Sequence, residues 1–226
     1  MNGHKLSQSK RPEVQRIKDE LADCASYSGV GVIYDNVYDL WESTKGLLLS
    51  AGYKLIPKFP SDDNPATVFK AIAESITPPS VAAESSDFPF IIAVFISGLA
   101  RSNALESRHG SVDIYQDIIK PFLPESAPNL RHIPKLFFIS VDREQYNDPV
   151  TFPDDSNGNY FVVYHETESL EQMLTWKAIV DDAFCLGESA QELIEKSKSY
   201  MHLYGYKDKE RLHYFACLKN KFTVKK

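Results

Sequence analysis

The chain has 226 residues, of which 43% are hydrophobic and 25% are charged. These values exclude a disordered or fibrous protein and fit one α/β domain with a substantial core. The formal net charge is −6, and the only concentration of lysines lies in residues 219–226. Nucleic acid and anionic membrane both require a basic footprint, so neither is expected as the main partner.

Apolar runs bounded by Gly, Pro and Asp alternate with segments in which apolar residues recur at helical spacing. In chain order, the patterns predict a helix over 11–24, a strand over 29–36, a helix over 39–50, a strand over 53–56, a helix over 65–76, a strand over 90–97, a helix over 114–122, strands over 135–140 and 160–164, helical structure over 175–200 with a break near Gly187, and extended structure over 212–218 and 221–224. Such alternation favours a mostly parallel sheet covered on both faces.

Cysteine usage favours a reducing compartment. Cys24, Cys185 and Cys217 are too few and too scattered for a disulfide framework or a zinc site. No signal peptide or membrane-spanning segment is visible. We therefore expect a cytoplasmic protein without a metal or cofactor.

Residues 134–143 match a known family motif. They read PKLFFISVDR, and seven positions agree in register with the pattern PKLFFIQACRG of the caspase nucleophile strand. Residues 94–97 (VFIS) resemble the strand that ends in the caspase Ser-His-Gly, and residues 109–114 (HGSVDI) resemble the segment that follows it. Shorter matches occur in caspase order at 31–36, 51–55, 175–177 and 212–222. The resemblance to the caspase family thus covers about residues 27–224.

The resemblance implies the caspase fold, an α/β domain with about six strands in a mostly parallel sheet, helices on both faces and an antiparallel C-terminal edge strand. It divides the chain into a short N-terminal extension (1–26), a large-subunit-like part (27–143), a short linker (144–159) and a small-subunit-like part (160–226). Asp148, Asp154 and Asp155 in the linker are interpreted as turn-forming residues, and whether they are cleaved stays open.

Caspase chemistry needs a thiolate nucleophile, a histidine and backbone donors for the oxyanion. In the alignment, Gly98 stands at the histidine position, Leu99 at the position of the oxyanion glycine, and Asp142 at the cysteine position. A carboxylate is a weak nucleophile without its base. The resemblance therefore implies a catalytically inactive pseudo-protease.

The acid-binding pocket is expected to be absent as well. Caspases clamp an aspartate side chain with arginines, whose planar fork suits a carboxylate. The resemblance implies that these arginines lie in two segments of the chain, one between Arg16 and Arg101 and one between Arg143 and Arg211. Neither segment contains an arginine. Ser140 replaces the glutamine that precedes the nucleophile.

The last strand is the predicted interface, because the resemblance implies that two caspase units pair through it and extend one sheet. The predicted contact residues are Leu212, Tyr214, Phe215, Ala216, Cys217 and Leu218. We expect a heterodimer or heterotetramer with an active, executioner-like caspase, which this chain would activate or inhibit in apoptosis. A homodimer would satisfy the strand edge equally.

Two other interpretations stay open. One is an active hydrolase with a non-standard site that uses Asp142 with His109, His165 or a cysteine elsewhere. His109 reads as surface loop, and His165 has no identifiable nucleophile beside it. Cys185 in a helical segment and Cys217 in a strand are interpreted as packing residues. The other is a homodimeric α/β adaptor or flavodoxin-like binding module. The isolated Gly29 and Gly31 precede a strand and do not form a phosphate-binding loop.

Overall fold

The computed structural model describes residues 13–35, 40–56, 64–79, 90–101, 103–143, 159–167, 170–186, 192, 195, 196, 199 and 212–216. The helices are α1 (Glu13–Leu21), α2 (Glu42–Ser50), α3 (Pro65–Ser75) and α4 (Leu170–Leu186). The strands are β1 (Gly29–Asp35), β2 (Tyr53–Ile56), β3 (Ile91–Arg101), β4 (Ala104–Ser107), β5 (Gly110–Asp113), β6 (Lys135–Arg143), β7 (Tyr160–Thr167) and β8 (Leu212–Ala216). A π-helical segment, Ile114–Ile119, follows β5.

The strands form one sheet in the order β2-β1-β3-β6-β7-β8. The first five strands of this order are parallel, and β8 pairs antiparallel with β7. The β4–β5 hairpin extends from the end of β3. Parallel neighbours need long crossovers, and the helices between the strands supply them. The expected mostly parallel sheet with an antiparallel C-terminal edge strand is therefore confirmed.

The central strands are apolar almost throughout because helices cover both faces. Every residue of β1 is buried. At its start the neighbouring strand approaches so closely that a Cβ on Gly29 would lie 2.1 Å from the carbonyl oxygen of Ile91. Only glycine fits there without moving the backbone.

Each face of the sheet has its own hydrophobic cluster. On one face, α1 and α3 pack together, and Ile17, Leu21 and Phe69 are fully buried beside the strands. The segment interpreted as an N-terminal extension thus contributes to this core. On the other face, Trp41 at the start of α2 and Trp176 of α4 pack against Phe95 and Phe138.

The β4–β5 hairpin was not predicted. Its strands have four residues each and bury only one residue each, so they lack the apolar runs that mark the central strands. The Ser107 hydroxyl stabilises the turn by donating to the Gly110 carbonyl (2.7 Å) and accepting from the His109 backbone N–H (3.1 Å). His109 is exposed in this turn, which confirms the expected surface loop.

Other boundaries differ modestly from the predicted ones. Strands β3, β6 and β7 extend beyond their predicted carboxyl ends, and α4 begins at Leu170 instead of Thr175. Several expectations lie outside the described residues, namely the linker over 144–158, the helix break at Gly187, Cys217, Leu218, the lysines of 219–226 and extended structure over 221–224. Within the described part of the chain, no helix is long and apolar enough to cross a bilayer.

Candidate functional site

The three positions that the sequence resemblance assigns to caspase catalytic residues lie at the carboxyl ends of β3 and β6. These strands are parallel neighbours, and their register pairs Gly98 with Val141 and Leu99 with Asp142. Register partners on adjacent strands share a face of the sheet and lie about 5 Å apart. Leu99 and Asp142 therefore lie side by side on the face covered by α2 and α4, and Gly98 lies on the opposite face.

One row below this pair, polar residues cross the sheet on the same face. The register pairs Asp35 of β1 with Ser97 of β3, Ser97 with Ser140 of β6, and Ser140 with His165 of β7. All four residues, called the polar row below, are buried, with exposures of 4%, 0%, 0% and 3% in that order. The surrounding strand residues are hydrophobic, so the polar row must satisfy its own hydrogen bonds.

At one end of the polar row, Asp35 is held from two sides. The Ser97 hydroxyl donates to Oδ1 at 2.6 Å, and the backbone N–H of Trp41 donates to Oδ2 at 3.1 Å. Hydrogen bonds to a buried carboxylate are stronger than those between neutral groups. This carboxylate joins the carboxyl end of β1 to β3 and to the residue that precedes α2.

At the other end, the Ser140 hydroxyl lies 3.2 Å from His165 Nδ1. The hydroxyl donates when the ring proton is on Nε2 and accepts when it is on Nδ1. The His165 ring stacks on Trp176 of α4, with centroids 5.2 Å apart and an interplanar angle of 21°. Serine beside histidine is the combination that hydrolases use for a nucleophile and its base.

Two indole rings cover the polar row. Trp41 and Trp176 are 0% and 2% exposed and meet edge to face, with centroids 5.6 Å apart. Neither indole N–H has a hydrogen-bond partner in the described structure. An unsatisfied buried donor costs about 1–3 kcal/mol, so packing of these rings must offset that cost. The space beside the polar row is therefore filled by side chains from α2 and α4.

One carboxylate adjoins the polar row on its own face. Half-buried Asp142 follows Ser140 by two residues on β6, whereas Glu166 of β7, 5% exposed, pairs in register with Val141 and therefore lies on the opposite face. The nearest arginine on β3, Arg101, instead forms an ion pair with Glu106 of the hairpin at 2.8 Å. The described residues contain no group of three or more His, Cys, Asp or Glu side chains placed to hold a metal ion.

The sequence singled out only two members of the polar row, Ser140 and His165, and not as neighbours. Asp35, Ser97, Ser140 and His165 each follow directly on the apolar run of their strand. That shared position was the available signal, but only the strand register shows that the residues adjoin. His165 was expected to have no nucleophile beside it, and the structure corrects this, because β6 places the Ser140 hydroxyl within hydrogen-bond distance.

Strand β8 lies at the end of the described sheet. Its backbone pairs with β7 from His165 opposite Leu212 to Phe161 opposite Ala216. Among the described strands, β7 is its only neighbour. The predicted contact positions Leu212, Tyr214, Phe215 and Ala216 therefore lie on an edge strand, and Cys217 and Leu218 lie outside the described residues.

This topology, a mostly parallel sheet between helices with a hairpin after β3 and an antiparallel last strand, is the caspase fold. Two solved structures with this fold are similar to the chain. One is pro-sf-caspase-1, with a TM-score of 0.66, 12% identity, and 89% of this chain and 92% of that chain covered. The other is caspase-1 from Spodoptera frugiperda, with a TM-score of 0.58, 13% identity, and 89% and 91% covered. No protein-family model and no curated protein sequence matches the chain.

Proposed function

We propose that this chain is a catalytically inactive caspase-like protein that regulates an active caspase by pairing with it in apoptosis. The observation that carries the proposal is the register of β3 and β6, which sets Leu99 beside Asp142 and Gly98 beside Val141. In the caspase-like alignment, Leu99 stands at the position of the oxyanion glycine, Asp142 at that of the nucleophile and Gly98 at that of the histidine. None of the residues present supplies a thiol or an imidazole there.

Cys24 does not replace the missing nucleophile. Cys24 lies in the cluster on the opposite face, where its Sγ donates to the Thr77 carbonyl at 3.2 Å and accepts from the Thr77 N–H at 3.3 Å. Burial raises the pKa of this thiol, so the reactive thiolate is disfavoured. Cys24 is therefore a packing residue in this proposal.

The polar row also argues against an acid-binding pocket. A substrate aspartate needs a cation in the site, and the row contains a carboxylate, two hydroxyls and one imidazole. Trp41 and Trp176 fill the adjacent space. Rebuilding a pocket here would require moving both indoles and bringing in an arginine.

Strand β8 supplies the proposed interface. An edge strand presents a row of unpaired N–H and C=O groups, which a second strand satisfies by extending the sheet. Pairing with the last strand of an active, executioner-like caspase would leave that caspase's own site intact. The inactive chain would then either order the partner's active-site loops or occupy its dimer site without completing a second active unit.

The test is hydrolysis of a fluorogenic tetrapeptide with a C-terminal aspartate, measured for the purified chain alone and during its titration into a co-occurring active caspase. We expect no turnover by the chain alone and a saturable change in the partner's rate. An increase identifies an activator and a decrease an inhibitor. Turnover by the chain alone would overturn the proposal, and so would a partner rate that stays constant at saturating chain.

A second candidate is an active hydrolase in which Ser140 is the nucleophile and His165 its base. The 3.2 Å hydrogen bond between these residues favours it. Its weakness is access, because Ser140 is 0% exposed. Labelling by a fluorophosphonate probe that Ser140→Ala abolishes would establish this hydrolase, whereas an unlabelled chain would leave the regulatory function as the proposal.

A further inference from the structure

The outer surface of the layer formed by α2 and α4 carries an open groove of about 700 Å³. Leu40, just before α2, is buried, whereas Leu174 of α4 lines the groove with half of its surface (50%) exposed. Only Tyr27 and Leu49 are comparably exposed among the large hydrophobic residues of the described chain. An exposed leucine inside a concave site marks a surface that gains from being covered.

The groove carries an excess of negative charge. Its charged residues are the carboxylates Glu42, Asp181 and Asp182 and the single ammonium of Lys177. Glu42 already forms an ion pair with Lys45 of α2. Lys177 is not available to a ligand, because it donates to Asp181 and its side chain is only 11% exposed. Asp182 is exposed and makes no ion pair within the described structure. The groove therefore favours a cationic occupant.

A hydrogen-bond network between the two helices fixes the groove walls. Asp181 of α4 accepts from the Thr44 hydroxyl at 2.8 Å and from the Ser43 hydroxyl at 3.5 Å, both on α2. Thr44 is fully buried. Because these contacts hold both helices, an occupant would bind a preformed surface, and the free-energy cost of ordering that surface would be small.

We propose that this groove binds a peptide segment of a protein partner in which an aliphatic side chain is flanked by lysine or arginine. The aliphatic group covers Leu174, and the flanking cation lies over Asp182. The groove is formed by α2 and α4 and does not involve β8, so this inference does not rest on the proposed function. The partner's edge strand and the basic-aliphatic segment would bind at different places.

The test is fluorescence anisotropy with the full chain and a fluorescein-labelled peptide of sequence Arg-Leu-Lys-Leu-Arg. We expect saturable binding, and weaker binding by at least about fivefold for the same peptide with both leucines replaced by alanine. Leu174→Ser and Asp182→Lys should each weaken binding of the leucine peptide to a similar degree. Circular dichroism checks that each variant is folded, which both exposed positions should permit.

Matched controls separate the groove from general attraction to an acidic protein. Leu49→Ser removes a comparably exposed leucine of α2 that does not line the groove, and Glu125→Lys makes the same charge change at an exposed position elsewhere. Both controls should bind as the parent does. Equal binding of the alanine peptide, or equal losses in test and control variants, would overturn the proposal. A concentration-dependent dimer that Leu174→Ser abolishes would also overturn it, because the occupant would then be a second copy.

Discussion

Ser140 and His165 are register partners on the adjacent parallel strands β6 and β7, and the hydroxyl of one lies 3.2 Å from Nδ1 of the other in a fully buried setting. A buried polar pair of this kind contributes little net free energy when both partners are present and costs much more when one is removed. Measuring the free energy of unfolding after one partner is removed therefore tests whether the pair is structural.

The first prediction concerns this pair. Ser140→Ala should lower the free energy of unfolding by about 1–3 kcal/mol, because it leaves the His165 ring nitrogen without its buried partner. His165→Phe keeps an aromatic ring against Trp176, and the double variant should be less destabilised than the sum of the single ones by about 1 kcal/mol. Urea unfolding of all three proteins measures this coupling. Ser126→Ala, at an exposed position, is the control, and strict additivity would show that the pair is not coupled.

The second prediction concerns reconstitution of a protease. The double variant Gly98→His with Asp142→Cys places an imidazole and a thiol at the aligned catalytic positions. We expect no hydrolysis of a tetrapeptide with a C-terminal aspartate, because Trp41 and Trp176 fill the space beside the strands and the polar row contains no arginine. Residues 98 and 142 also lie on opposite faces of the sheet. Alkylation by iodoacetamide should confirm that the new thiol reacts. Measurable aspartate-specific turnover would show that a substrate pocket exists.

The third prediction concerns pH. Burial raises the pKa of Tyr34 from 10.0 to about 12 and raises that of Tyr53 further. A folded-state pKa above the unfolded value means that the folded chain holds the phenol protons more tightly, so this contribution to stability is fully present below pH 10. It should be lost progressively as the pH rises from about 10 through 12. Urea unfolding at several pH values should show this decline, and it should be shallower in Tyr34→Phe and Tyr53→Phe. An unchanged slope in both variants would contradict the assignment.

The fourth prediction concerns the edge strand. Neighbouring N–H groups of an antiparallel strand point alternately toward its partner and away from it. Of Tyr214→Pro and Phe215→Pro, one therefore removes a hydrogen bond to β7 and the other removes a donor from the outer edge. The variant that keeps the hydrogen bond to β7 should be the thermally more stable one. We expect this variant to abolish the effect on the partner caspase, because it lacks the donor at the outer edge. If that variant regulates the partner as the parent does, β8 is not the interface.

The buried strands of this chain could be predicted from local sequence. The carboxyl ends of β3, β6 and β7 could not. The apolar runs that start at Gly29, Ile91 and Lys135 predicted the buried strands because both sheet faces are covered by helices. The β4–β5 hairpin escaped prediction because its stabilising contacts, such as Ser107 with Gly110, are side chain to backbone and leave no apolar pattern.

By itself the sequence determined the buried strands, the main helices and the mostly parallel arrangement, and the resemblance assigned Gly98, Leu99 and Asp142 to the catalytic positions. Only the tertiary structure decided that Asp35, Ser97, Ser140 and His165 form one buried row, that two indoles cover it, and that α2 and α4 enclose a groove. The reason is that periodicity is a local property of the chain. The polar row instead joins residues that are distant in the chain, such as Ser140 and His165 with a separation of 25, and their pairing depends on the order of the strands in the sheet.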